Sequence, residues 1–366
     1  MSRPRVAIAH DYLTQRGGAE RVVLAMLRAF PGATVHTLLY DPDGTFPEFR
    51  DARVVTSPLD RIGPLRRNHR LALPVLAPAA SRMTVDADLT IVSTSGWAHG
   101  FDVRGRSLVY CYNPARWLYQ TDEYLGDVSA LSPQAMAVRV LGPALRRWDR
   151  RAAGRHDRYV AISSVVRDRI RTTYGVDADI IFPPTVVSDL GGREPVGPFD
   201  AGFHLLVSRL LPYKNVDQAV AAFARLPEER LLVVGRGPEE DRLRRTLPDN
   251  VALVSGVSDD QLRWAYAQSA GLVAPSIEDY GLTPLEAGAF GKPTLALRGG
   301  GYLDTVAEGV SGLFFARPTA EDISDAVLRS RETVWHAEAI VRHGEQFSEE
   351  RFRSRLVSAA EDLLSA

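Results

Sequence analysis

The chain has 366 residues, 45% of them hydrophobic and 24% charged, with a net charge of −1 and one cysteine. That size suits two globular domains, each with a core of its own. The balanced charge excludes nucleic-acid binding by bulk electrostatics, and the lone Cys111 excludes an intramolecular disulfide and fits a reducing compartment.

The start, Met1–Arg5, runs straight into a strand, Arg5–Ala9, whose apolar run is too short for a signal peptide. No apolar stretch approaches the ~20 residues of a spanning helix, so a cytoplasmic protein is expected. Gly17 and Gly18 follow in a loop, then a helix from Ala19 to about Phe30 with Val23, Met26, Leu27 and Phe30 at helical spacing. Strands are expected at Thr34–Leu39, Asp88–Ser93, Ser107–Cys111 and Arg158–Ser163. They are apolar almost throughout, as parallel strands covered on both faces require. The Gly- and Pro-rich stretch Asp189–Pro198 reads as a linker. Beyond it the alternation restarts, with strands at Phe203–Ser208, Leu231–Gly235, Val251–Val254, Gly271–Ala274 and Pro293–Leu297, and a capping box at Ser258–Gln261. A last helix, about Ser348–Leu364, buries Phe352, Leu356, Ala359 and Leu363. The expected fold class is α/β: two doubly wound, Rossmann-like parallel-sheet domains, residues 1–190 and 200–344, facing across a cleft.

The chemistry concentrates in the second half. Arg209 and Lys214 follow the first strand of that half, at the carboxyl end where open α/β sheets bind ligands. A guanidinium fork and an ammonium there suit a diphosphate, although two solvated loop charges would read the same. The glycines of Gly235-Arg236-Gly237-Pro238 let a ligand approach, or serve a tight strand-to-helix turn. Glu278 and Glu286 bracket a loop that becomes a helix through Asp279, Tyr280, Gly281, Leu282 and Thr283. With Thr283 as N-cap and Pro284 at the first helical position, the helix start offers an anion site. Glu286 then has two readings: a ligand carboxylate, or the last member of a capping box with Thr283.

In the first half, Gly17 and Gly18 could meet a phosphate or merely form a turn, and His99 could serve in acid–base work or as a structural polar residue. The triplets Asp41–Asp43, Asp86–Asp88 and Asp177–Asp179 have no further ligands nearby, so they read as structural and no metal is expected. Two basic stretches, Arg61–Arg82 and Arg139–Arg158, mix arginine with apolar residues. They are either solvated helix faces or contacts for an anionic membrane.

Taken together, these segments resemble glycosyltransferase family 4, the retaining sugar-nucleotide transferases of the GT-B fold. Arg209 with Lys214, the Gly235–Pro238 turn, and Glu278 with Glu286 occur in that family's order and spacing. His10–Leu13 through Gly17–Glu20, and Tyr110–Arg116, look like a bacterial branch rich in mannosyltransferases that use GDP-mannose. The resemblance implies that Arg209 and Lys214 bind the donor diphosphate, Glu278 the transferred sugar and Glu286 the ribose. Backbone at Gly281, Leu282 and Thr283 would meet phosphate and sugar, and Gly17 and Gly18 would close on the donor from the other domain. It also implies that the closing segment, 345–366, crosses back to the first domain. Many relatives read Cys-His-Thr-Pro where this chain has Cys111-Tyr112-Asn113-Pro114, so Tyr112, Asn113 or His99 becomes the candidate contact for sugar or acceptor.

The expected activity is metal-independent transfer of a hexose from a nucleoside diphosphate sugar to a hydroxyl acceptor such as a lipid-linked glycan, a polysaccharide or a small metabolite. A sugar-nucleotide epimerase on the same fold, and a non-catalytic partner that binds a sugar nucleotide, are the alternatives.

Overall fold

The computed structural model describes residues 4–67, 69–120, 133–185 and 190–366. The chain divides into two compact units, 1–184 with 349–366, and 185–348. The division falls at Pro184, ahead of the Gly/Pro-rich stretch, whose first residue, Asp189, lies outside the described residues. The rest of that stretch is tied to the second unit: Glu194 N–H donates to the Asp260 carbonyl, and Arg263 Nε to that of Gly192.

Among the described residues the first unit holds seven strands: β1 (Val6–His10), β2 (Thr34–Thr37), β3 (Val54–Thr56), β4 (Thr84–Thr94), β5 (Asp102–Cys111), β6 (Arg158–Ala161) and β7 (Ala178–Ile180). All pair in parallel, in the order β3-β2-β1-β4-β5-β6-β7. Strand β4 is longer than its apolar centre suggests. Asp86 and Asp88 lie inside it, at a register shift, rather than before a strand. Asp88 accepts from the Arg5 backbone N–H at 2.7 Å, and the Arg5 guanidinium lies 3.4 Å from Asp86. The closing helix, Glu349–Ser365, packs on the Gly18–Ala29 helix and on β5, burying Phe352, Leu356, Ala359 and Leu363.

Among its described residues the second unit has six parallel strands: β8 (His204–Val207), β9 (Leu231–Val234), β10 (Val251–Val254), β11 (Gly271–Ala274), β12 (Thr294–Leu297) and β13 (Gly312–Phe315), in the order β10-β9-β8-β11-β12-β13. Alternate residues feed two cores. Leu206, Leu231 and Val233 join the one containing Val220 and Phe223; Leu205, Leu232 and Val234 join the one containing Tyr266 and Tyr302. Burial on both faces is why these strands read as unbroken apolar runs.

In each sheet the chain reverses direction between the first strand and the fourth. That switch point lies between β1 and β4 in one unit and between β8 and β11 in the other. The loops at the carboxyl ends of such a strand pair diverge and leave a crevice, where ligands of doubly wound sheets bind. Three strands absent from the sequence reading, β3, β7 and β13, lie at sheet edges; β3 and β7 are only three residues long and partly exposed, so they carry little apolar signal.

Candidate functional site

Arg209 and Lys214 leave the end of β8, and Glu278 follows the end of β11, so the switch point of the second unit brings them together. Lys214 sits in a single 3-10 turn opened by Pro212, and its ammonium is ion-paired with Glu278 Oε1. The Lys214 side chain is 7% exposed and that of Glu278 28%. Ser276 Oγ also donates to Oε1, at 2.7 Å. Both bonds fall on one carboxylate oxygen, so Oε2 keeps acceptor capacity.

Asn215 fastens this arrangement. It adopts a left-handed backbone, φ 54°, which asparagine tolerates better than most residues. Its side-chain amide donates to the Pro275 carbonyl at 2.9 Å, tying the loop after β8 to the loop after β11. Arg209 stays near the surface and donates to the Tyr213 hydroxyl at 3.2 Å. The Tyr213 ring in turn lies 4.9 Å from the Lys214 ammonium. The result is a cationic ledge with one anchored carboxylate beside it.

The helix expected to start at Pro284, with Thr283 as N-cap, starts two residues earlier, at Leu282, with Gly281 as N-cap at φ 94°. Thr283 and Pro284 are therefore its second and third residues. A side chain at Gly281 would place Cβ 2.5 Å from the Tyr302 ring, so only glycine fits that turn. The capping-box reading of Glu286 fails with the shift. Glu286 instead accepts a 2.6 Å bond from the buried Tyr266 hydroxyl. Burial, and then the Glu286 charge, push the Tyr266 phenol well above its ordinary pKa, so it stays a donor. Tyr280 is buried, 5% exposed, with its ring edge against Phe347; it shapes the loop from beneath.

Gly235 and Gly237 are explained by packing. A Cβ on either would overlap a backbone carbonyl of the Arg209 loop, Ser208 O or Leu210 O. They hold that loop in place through close backbone approach.

In the first unit the switch-point loops are organised by Asp11, which lies within the His10–Leu13 segment. The carboxylate, 2% exposed, accepts from Thr94 Oγ1, from Ser95 N and Oγ, and from the N–H groups of Trp97 and Ala98. An aspartate directly after a strand was the available signal. Gly17 caps the Gly18–Ala29 helix with an ordinary φ of −112°. What it supplies is space: a Cβ there would lie 2.5 Å from Oε2 of the buried Glu20. Gly18 opens the helix itself.

His99 is 2% exposed, with Nε2 2.9 Å from Asp149 Oδ1 and rings of Trp148 and Tyr174 beside it. Enclosed like this it is a buried polar residue and offers no surface to a sugar. The Tyr112 hydroxyl bonds Ser93 Oγ at 2.9 Å and donates to the Ala19 carbonyl at 3.1 Å; burial raises its pKa far beyond the ordinary range, which rules it out as a base. Asn113 is 4% exposed and donates to Gln120 at 3.2 Å. Of the basic stretches, Arg147, Arg150 and Arg151 are exposed on the Pro133–Ala153 helix, whereas the Arg139 side chain lies outside the described residues. Among the described residues no helix is long and apolar enough to cross a membrane.

Residues 16–185 match the family described as Glycosyltransferase Family 4, and residues 198–341 match Glycosyl transferases group 1. Glycogen synthase of Pseudomonas paraeruginosa is 35% identical over 164 residues, 42% of this chain and 31% of that protein. D-inositol 3-phosphate glycosyltransferase of Mycolicibacterium smegmatis is 32% identical over 205 residues, 52% of this chain and 46% of that protein. The matched parts thus span less than half the length of these curated relatives. Among solved structures, sucrose-phosphate synthase of Thermosynechococcus elongatus superposes with a TM-score of 0.71 at 18% identity, covering 99% of this chain and 100% of that one. Anabaena HepE in complex with UDP-glucose gives 0.65 at 17% identity, covering 99% of this chain and 100% of that one.

Proposed function

Since the chain belongs to glycosyltransferase family 4 and each unit has the doubly wound sheet of GT-B enzymes, we propose that it transfers a hexose from a nucleoside diphosphate sugar to a hydroxyl acceptor. The observation that carries this reading is the Lys214–Glu278 ion pair beside Arg209, at the switch point of the second sheet.

When the glycosyl–oxygen bond breaks, its electron pair goes to the departing diphosphate. Arg209 and the remaining N–H groups of Lys214 stabilise that charge, together with the open backbone at Gly281, Leu282 and Thr283. Glu278, held by Lys214 and Ser276 through Oε1, offers Oε2 to a sugar hydroxyl. Glu286, anchored by Tyr266, receives the ribose. The acceptor hydroxyl attacks from the face the diphosphate leaves, and its proton passes to a phosphate oxygen. The anomeric configuration is thereby kept without a carboxylate nucleophile and without a metal.

Resemblance to the mannosyltransferase branch favours GDP-mannose as donor. The complex of Anabaena HepE with UDP-glucose is the observation in favour of a UDP-hexose instead. A thermal-shift panel of GDP-, UDP-, ADP- and TDP-sugars in the absence of metal separates them, since the true donor raises Tm by mass action. Stabilisation by none of them in the wild type overturns the reading. Donor conversion without acceptor indicates an epimerase, and binding without turnover a non-catalytic partner.

A further inference from the structure

Only two of the chain's 44 lysine and arginine residues are lysines, Lys214 and Lys292. A chain that uses arginine almost everywhere keeps an ammonium at these two places. Lys214 belongs to the ledge at the carboxyl ends of β8 and β11. Lys292 lies at the other end of the same sheet, between the Leu282–Ala289 helix and the start of β12.

Lys292 lines a cavity of about 510 Å³ together with Arg193, Phe290, Glu338 and Arg342. The wall closes where Gly291, at φ 68°, comes so near Ala337 that an added Cβ would lie 2.8 Å from the alanine methyl. The Arg193 guanidinium stands 5.7 Å from the centre of the Phe290 ring. Glu338 lies 3.8 Å from Arg342 on the exposed face of one helix, a pair too solvated to neutralise the pocket. Burial, and then the charge of Arg193, hold the Lys292 ammonium below its ordinary pKa, so the two cations sit close enough to repel. A cation beside a helix C-terminus complements the helix dipole, which accounts for Lys292 alone.

Three cations and one carboxylate line a hollow within the size range of small-molecule sites, roughly 300–1,000 Å³. We infer that this pocket binds a small phosphate-bearing anion, with the phosphate between Lys292 and the two guanidinium forks and the remainder of the ligand against Phe290. It is a different site from the one that takes the nucleoside diphosphate. Phe290 nonetheless stacks on Tyr266, with centroids 5.7 Å apart, and the Tyr266 hydroxyl bonds Glu286.

The scarcity of lysine supplies the test. Reductive methylation with ¹³C-formaldehyde keeps both charges and gives one carbon-labelled NMR signal each for Lys214 and Lys292, besides the amino terminus. The probe is phenyl phosphate, titrated against sodium chloride of equal ionic strength. The Lys292 signal should shift saturably, and its pH midpoint should rise, because a bound anion favours the charged ammonium. Arg193→Ala and Arg342→Ala should each weaken that response at least tenfold while the Lys214 signal and Tm stay unchanged. A Lys292 shift that matches chloride or never saturates overturns the inference, as does a response to phenyl phosphate that is undiminished in Arg193→Ala and Arg342→Ala. A response at Lys214 alone would overturn it too, while leaving the proposed transferase reading intact.

Discussion

Lys214 and Glu278, sixty-four residues apart in sequence, meet as an ion pair because β8 and β11 are neighbours in the sheet. Neither residue is distinctive by itself. Together they fix an ammonium and a carboxylate side by side in a crevice, with Arg209 alongside.

Arg209 and Lys214 should respond differently to substitution. Arg209 is near the surface and touches only the Tyr213 hydroxyl in the side-chain contacts described, so Arg209→Ala should leave Tm nearly unchanged. If it stabilises the departing diphosphate, kcat should fall by about 10²–10³-fold, as when an oxyanion donor is lost. Lys214→Ala should lower both, because it also strands Glu278 without its buried partner. Lys214→Arg should not restore activity, since the planar fork cannot occupy the place of a compact ammonium. Steady-state kinetics and thermal melts on the three variants check this, and near-normal turnover in Arg209→Ala would remove that residue from the mechanism.

Glu286 is tied to Tyr266 and not to a helix cap. Tyr266→Phe should therefore cost about 1 kcal/mol, the net value of one hydrogen bond. Glu286→Ala should cost about 1–3 kcal/mol, because the buried hydroxyl is then left without this acceptor. Nucleotide affinity should fall much further in Glu286→Ala than in Tyr266→Phe. Urea melts and nucleotide titrations separate the two effects; equal losses of affinity would mean that the carboxylate acts only through tyrosine.

Gly281 tolerates no side chain. Gly281→Ala imposes a left-handed backbone on alanine and drives its Cβ into the Tyr302 ring, at 2.5 Å. Strain of this kind costs on the order of 1–3 kcal/mol, and the ring must shift besides. Donor binding should weaken along with stability, because the same turn presents the helix N-terminus. Calorimetric Tm beside the nucleotide Kd tests this, and a variant as stable as wild type would contradict the close packing.

His156 makes the first unit sensitive to acid. Burial drives its pKa down to about 4, and Nε2 keeps a 2.8 Å bond to the His99 carbonyl. Its folded pKa lies below the ordinary value of about 6.5, so the unfolded chain takes up the proton first. Stability should be full above pH 7 and decline as pH falls from about 6.5 towards 4, by up to about 3 kcal/mol. His156→Gln should flatten that part of the profile. Urea midpoints from pH 7.5 to 4.5 provide the measurement; identical slopes in wild type and variant would place the acid sensitivity elsewhere.

Much of the fold was legible. The central strands carry unbroken apolar runs because both faces are covered, and the capping box of Ser258 and Gln261 forms with both bonds, 3.0 and 3.1 Å. Arg209, Lys214, Glu278 and Glu286 could be picked out because they sit where strands end and helices begin. The cap at Gly281 was misread because Thr283-Pro284 has the local chemistry of a helix start, while the helix begins from the left-handed turn at Gly281, which leaves no room for a side chain beside the Tyr302 ring of a later segment. His99 had two readings in the sequence, and only the packing of Asp149, Trp148 and Tyr174 around it selects the structural one.

By itself the sequence determined the local elements: periodicity, turn residues and caps act over a few positions and are written in neighbouring letters. It also supplied the cations and carboxylates in an order that marks the family. Strand order decided the rest. Placing β11 against β8 joined Lys214 to Glu278, and packing helix against sheet sent Glu286 to Tyr266 and enclosed His99. Such pairings depend on which surfaces bury each other, a property of the whole sheet that no short stretch of chain contains.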